Sequence, residues 1–134
     1  MKNPFLPGDV RTYSIQVKPS DFAVLDGKLI HAVLSTFALG QALEWSSRQF
    51  VEEMLEEGEE GIGTMLHIKH HAPAFEGETV EFQATFEHLE GQELTCHVEA
   101  RVGERLVATG RTGQRIVDGA RLAARFALLR ESAD

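Results

Sequence analysis

Four stretches of the chain alternate apolar and polar residues with a period of two, and one long stretch repeats with the period of a helix. In RTYSIQVKPS, Tyr13, Ile15 and Val17 share a face, which predicts a strand. A helical pattern runs from Val33 to about Glu57 and stops at Gly58. The period returns to two in GIGTMLHIKHHA, after which Pro73 and Gly77 mark a turn or bulge. Val80, Phe82, Ala84 and Phe86 form the next alternating set. Leu94, Cys96, Val98 and Ala100 form the one after, with hairpin turns at Glu90-Gly91 and Gly103-Glu104. A last strand, RLVATGRTGQRIVD, leads into a short terminal helix, GARLAARFALLRES. Between the first strand and the long helix, DFAVLDGKLIHA mixes the two periods around Asp26-Gly27 and reads as a loop or short helix.

Strand, long helix and antiparallel meander make an α+β order. One helix cannot cover both faces of such a sheet. The economical solution is a sheet curled around the helix, with its exposed edge or face used in a dimer. That architecture is the hot-dog fold: an antiparallel sheet of about five strands wrapped around one long central helix. A length of 134 residues predicts one domain, 1–134, in which 119–134 is a C-terminal helix and tail.

Composition narrows the function. A formal net charge of -8 argues against nucleic acid as a partner, because a phosphate-binding face needs a basic surplus. The N-terminal MKNPFLPGDV has neither a signal peptide's apolar run nor a membrane segment, so the expectation is a cytoplasmic protein with no membrane partner. Cys96 is the only cysteine, which excludes an internal disulfide and a cysteine-based zinc cluster; its apolar strand neighbours predict a buried structural thiol.

The long helix carries an anomaly. At about 100° per residue, Val33, Phe37, Val51 and Leu55 fall in one sector, the expected core stripe, and Ser46, Gln49, Glu52 and Glu53 on the far side. Glu44 falls in the apolar sector, where a carboxylate is costly unless paired or wetted. Thr36, Gly40 and Glu44 stand one turn apart in a line with little bulk at its middle, able to floor a cleft with a hydroxyl at one end and a carboxylate at the other.

Three of the six histidines lie within His67–His71. Strand alternation sends Thr64, Leu66, Ile68 and His70 toward the helix, and His67, Lys69 and His71 away. The rings do not converge and a lysine separates the outer two, so no metal site is predicted. His70 comes just before the Pro73 turn and shares the inner side with Glu44 and Thr36. Carboxylate, imidazole and hydroxyl are the parts of hydrolytic chemistry.

STFALGQALEWSSR followed by GEEGIGTMLHIKHHAPAFEGETVEF resembles the hot-dog acyl-CoA thioesterases of the fluoroacetyl-CoA thioesterase-like group. The resemblance rests on Thr36, Glu44-Trp45, Gly63-Thr64 and His70 at ungapped spacing, with Pro73, Gly77, Glu78 and Val80 as the strand entry, and spans roughly residues 8 to 118. It implies a homodimer or dimer of dimers with interface sites that hydrolyse an acyl-CoA thioester. Thr36, Glu44 and His70 would be the catalytic set, with Glu44 and His70 acting as base and orienting pair on water or on Thr36. Gly40, Gly63, Thr64 and Arg115 are the candidate substrate-binding residues, and no metal or cofactor is implied beyond CoA as part of the substrate. The late-strand T-H-x-R of the family is Thr112-Gly113-Gln114-Arg115 here, and Asp21–Ala32 is unlike the fluoroacetyl-selective segment. Fold and reaction class are therefore implied, and fluoroacetate selectivity is not. The alternative is a non-catalytic hot-dog protein that binds an acyl-CoA or small acid as a sensor. A hydratase on the same fold is disfavoured, since the long helix has no histidine after His31.

Overall fold

The computed structural model describes residues 1–132. In chain order it contains β1 (Val10–Gln16), a 3-10 turn (Pro19–Asp21), β2 (Phe22–Leu25), β3 (Lys28–Leu34), α1 (Thr36–Met54), β4 (Glu59–His70), β5 (Thr79–Glu90), β6 (Glu93–Val102), β7 (Arg105–Asp118) and α2 (Gly119–Ser132). Five strands form one antiparallel sheet in the order β1-β5-β6-β7-β4, and α1 packs on it, contacting every one of its strands. This is the wrapped-sheet arrangement that the alternating pattern predicts. The terminal helix is also present as expected.

Two expectations change. The segment read as loop or short helix is a β2–β3 hairpin, paired from Phe22↔Leu34 to Leu25↔Lys28. Its turn residues Asp26 and Gly27 both have positive φ, 51° and 71°, the backbone that a two-residue hairpin requires. The strands escaped notice because a four-residue β2 is too short to show a period. Consequently α1 starts three residues later than Val33, at Thr36, where the Ser35 hydroxyl caps it by accepting from the Ala38 N–H at 2.9 Å. It also ends earlier, at Met54.

The core stripe of α1 is rotated from the expected one. Leu39, Leu43, Phe50 and Met54 are buried, with the small Gly40, Ala42, Ser46 and Ser47 among them. On the same helical wheel this face centres roughly 90° from the Val33–Phe37 sector. Val33 belongs to β3, and Phe37 is 86% exposed. Of the expected stripe, Val51 is buried at the edge of this face and Leu55 stands at the C-cap, while Ser46, expected on the far side, lies within it. Its hydroxyl is satisfied by donating to the Leu43 carbonyl at 2.8 Å.

Against this face stand Phe82, Phe86, Leu94 and Ile116 from the sheet. Phe50 meets Phe5 and Phe86 edge-on, with ring centroids 4.9 and 5.6 Å apart. Cys96 is buried in this core, where desolvation first and the Glu87 charge second push its thiol up to about 12. Among the described residues no helix is long and apolar enough to cross a membrane.

Candidate active site

The line Thr36–Gly40–Glu44 lies along the rim of α1 that faces β4. Leu66 and Ile68 come inward over Gly40. A Cβ there would sit 3.1 Å from Ile68 Cδ1 and 3.2 Å from Leu66 Cδ2, so the glycine lets helix and strand approach. At one end of the line Thr36 Oγ1 lies 2.9 Å from His70 Nδ1. At the other, the Glu44 carboxylate faces Gly63, where a Cβ would come within 2.5 Å of Glu44 Oε1.

Several contacts deliver Thr36 to His70. The Leu34 N–H donates to the Ala74 carbonyl at 2.9 Å, and Val33 bridges to Phe75. The end of β3 is thereby tied to the turn that follows His70. Glu78 braces that turn, accepting from the Phe75 N–H at 2.7 Å and from both Arg105 guanidinium nitrogens at 2.7 and 2.9 Å. Arg105 also donates to the Pro73 carbonyl at 3.2 Å and lies over the Phe75 ring. Sequence reasoning marked Pro73 and Gly77 but missed Arg105. Its only signal was a cation one strand away from an acidic turn.

Burial drives the His70 imidazole below its ordinary 6.5; the neighbouring His71 adds to this and the Ala72 backbone opposes it. The ring is therefore neutral at neutral pH. In its Nε2–H tautomer it accepts the Thr36 hydroxyl proton at Nδ1, the arrangement that a general base needs.

Glu44 and His70 are not side by side within one chain. Eight helical steps separate Thr36 from Glu44, about 12 Å along the axis. No side chain hydrogen-bonds the Glu44 carboxylate among the described residues. Glu44 also borders an open groove of about 930 Å³ that runs past Trp45 and Arg48 to Tyr13 and Lys18 of the β1 side.

Two candidate binding residues lie elsewhere. A bulge in β4 between Gly63 and Met65 inserts Thr64 as an extra residue. This turns Thr64 to the outer face, where its hydroxyl donates to Glu93, in place of the inward position that strict alternation predicts. Arg115 is on the same outer face, donating to Glu93 at 3.3 Å. Neither converges with Thr36, Glu44 and His70. His67, Lys69 and His71 point outward as alternation requires, with His67 opposite Arg111 and His71 hydrogen-bonded to Thr109 at 2.8 Å. Among the described residues no group of three or more His, Cys, Asp or Glu side chains is arranged to hold a metal ion.

A buried polar group beneath Glu44 was also missed. Ser47, Thr112 and Gln114 meet between α1 and β7, all of them buried. Thr112 and Gln114 alternate in phase with Ile116, so their inward direction was readable, but two polar residues in a strand read more simply as an outer face.

Residues 17–120 match the model of a family described as fluoroacetyl-CoA-specific thioesterase. The fold is similar to that of a Thermus thermophilus hypothetical protein, a thioesterase superfamily member. The two are 32% identical over 96% of this chain and 95% of that one, with a TM-score of 0.90. A hot-dog-like protein from Thermanaerovibrio acidaminovorans is 25% identical over 91% and 90% of the two chains, TM-score 0.84. A fluoroacetyl-CoA thioesterase is 22% identical over 92% and 96%, TM-score 0.84, which speaks to the fold alone. No curated protein matches the chain.

Proposed function

The chain belongs to the fluoroacetyl-CoA-specific thioesterase family and is a thioester hydrolase of the hot-dog fold, and we propose that it cleaves acyl-CoA to free acid and CoA at a site that two copies build together, with Thr36, Glu44 and His70 as its reactive groups. The observation that carries this reading is the 2.9 Å contact between the Thr36 hydroxyl and a neutral His70. A Glu44 carboxylate without a side-chain partner among the described residues lies on the same rim of α1 and faces Gly63.

Several features support a second copy as the missing half. β4 is an edge strand of twelve residues, exposed through most of its length, and Phe37, Trp45, Met65 and Leu66 leave apolar surface beside it. A two-fold pairing of β4 with its counterpart, centred near Leu66 and His67, would set the His70 end of one chain beside the Gly63 end of the other. Each site would then take its imidazole and hydroxyl from one copy and its carboxylate from the other.

In this reading His70 removes a proton from Thr36 or from a water held at its hydroxyl. The resulting oxygen attacks the thioester carbonyl, Glu44 orients the nucleophile, and the carbon–sulfur bond breaks. CoA leaves as a thiolate and takes the proton back from His70; when water attacks, the acid is free at once, and when Thr36 attacks, a water activated by His70 then cleaves the acyl ester and a proton returns to the Thr36 oxygen, so one water is consumed per turnover. Water is the only co-reactant required, and the cytoplasm is the proposed location.

Thiol release across short, branched, aromatic and long acyl-CoAs tests the proposal, with His70→Ala and Glu44→Gln as controls. Release by the parent chain and its loss in both variants is the expected result. Full activity in both variants would sink the assignment of these residues. Binding without release across the panel would favour a ligand-binding protein.

A further inference from the structure

We propose that Gln114 is a positioning residue of this site: its buried carboxamide clamps the turn of α1 that carries Glu44 and so sets the carboxylate against Gly63. The inference rests on the role given to Glu44 above and adds a residue that no contact with substrate would reveal.

Gln114 is 2% exposed. Its Nε2 donates to the Glu44 main-chain carbonyl at 3.3 Å and to Ser47 Oγ at 3.1 Å. Ser47 in turn donates to the same Glu44 carbonyl at 3.0 Å and accepts from Thr112 Oγ1 at 2.7 Å. Glu44 thus has two side-chain donors on its carbonyl in the middle of a helix, where no extra partner is needed. The orientation of the amide is fixed, because exchanging its nitrogen and oxygen would set the oxygen against the Glu44 carbonyl oxygen. Among the described residues Oε1 then remains buried with no hydrogen-bond partner.

A buried acceptor without a donor costs stability, and a methionine of similar length would fill the space without that cost. Packing alone therefore does not account for glutamine here. Position does: Gln114 pairs directly with Gly63 across β7 and β4, on the same face of the sheet. The Glu44 carboxylate fills the room that the missing Gly63 side chain leaves, and the Gln114 amide reaches Glu44 only at its main-chain carbonyl. Holding the Glu44 backbone from β7 links the carboxylate's aim to the sheet rather than to the swing of the helix.

The test compares Gln114→Met with the parent chain in kcat, KM and Tm. The expected result is a kcat about tenfold lower at unchanged KM, the size of loss that a small misplacement of a reacting group produces, with Tm equal or higher. Adding Gln114→Met to Glu44→Gln is expected to slow the enzyme no further, since the clamp acts only through Glu44. Parental kcat in Gln114→Met, or the same loss in both backgrounds, overturns the proposal. If Gln114→Met does not fold, Ser47→Ala, which removes the second donor from the same carbonyl, is read by the same criteria. Should Glu44→Gln itself keep parental kcat, the role of Glu44 fails. A slow Glu44→Gln beside a parental Gln114→Met defeats the clamp alone.

Discussion

The two ends of the α1–β4 seam are built differently. At the His70 end a hydroxyl and an imidazole come paired inside one chain, and four further contacts, among Leu34, Val33, Phe75, Glu78 and Arg105, hold the loop that pairs them. At the Gly63 end a carboxylate faces a glycine, with no side chain among the described residues bonded to it, and its order comes from behind, through its own backbone. One end is held by main chain and side chains together, and the other only at the backbone of the residue that carries the carboxylate. A carboxylate left free at its tip stays available to a substrate, a water or a second copy, whereas a hydroxyl and an imidazole must meet before either is useful.

Breaking the paired end has the largest expected effect. His70→Ala should lower kcat/KM by about 10²–10⁴-fold, the range for loss of a general base, and Thr36→Ala combined with it should add little; steady-state thiol release measures both. Next, Gly63→Ala should lower kcat by about tenfold while leaving Tm nearly unchanged. The new methyl meets the movable end of Glu44, 2.5 Å away before it adjusts. The control is Gly110→Ala, whose methyl would run into Leu43 and the His67 carbonyl. That substitution should cost about 1–3 kcal/mol of stability in denaturant titrations. Equal stability losses at the two glycines would erase the contrast.

A pH profile sharpens it further. His70 is held below its unfolded value, so in the window between the two the unfolded chain binds a proton that the folded chain does not. The acid limb of kcat/KM should therefore have its midpoint below 6.5. Stability should rise with pH through the same window and be lost as pH falls. A midpoint above 6.5 would mean the ring is not desolvated in the working enzyme. The smallest effect belongs to Arg105→Lys, which keeps the charge but gives up the two-nitrogen grip on Glu78. A fewfold fall in kcat is expected, without a change in the acid limb.

The sheet was legible because four of its strands alternate cleanly and their turns carry glycine at Gly91 and Gly103. The inward direction of His70 followed from the same alternation. Thr64 did not, because a bulge adds one residue and reverses the face of that residue, and nothing in GIGTML announces it. The α1 stripe was misread by a quarter turn since its buried face is filled with glycine, alanine and serine, which hydrophobicity does not rank, while Phe37 and Trp45 are large, apolar and exposed. The distance between Thr36 and Glu44 was in the sequence as eight helical steps, which set the hydroxyl and the carboxylate at opposite ends of the α1 rim.

The buried cysteine has a practical consequence. The proposed reaction is followed by counting the sulfhydryl set free with each turnover, and a protein's own reactive thiols normally add to that count. Cys96 is shut inside the core with its ionisation pushed up to about 12, so the folded chain should be silent toward a colorimetric thiol reagent. In denaturant it should titrate as one equivalent per chain. The same reagent then reports turnover in the native protein and the unfolded fraction in a failing variant, separating a dead enzyme from a melted one in a single cuvette.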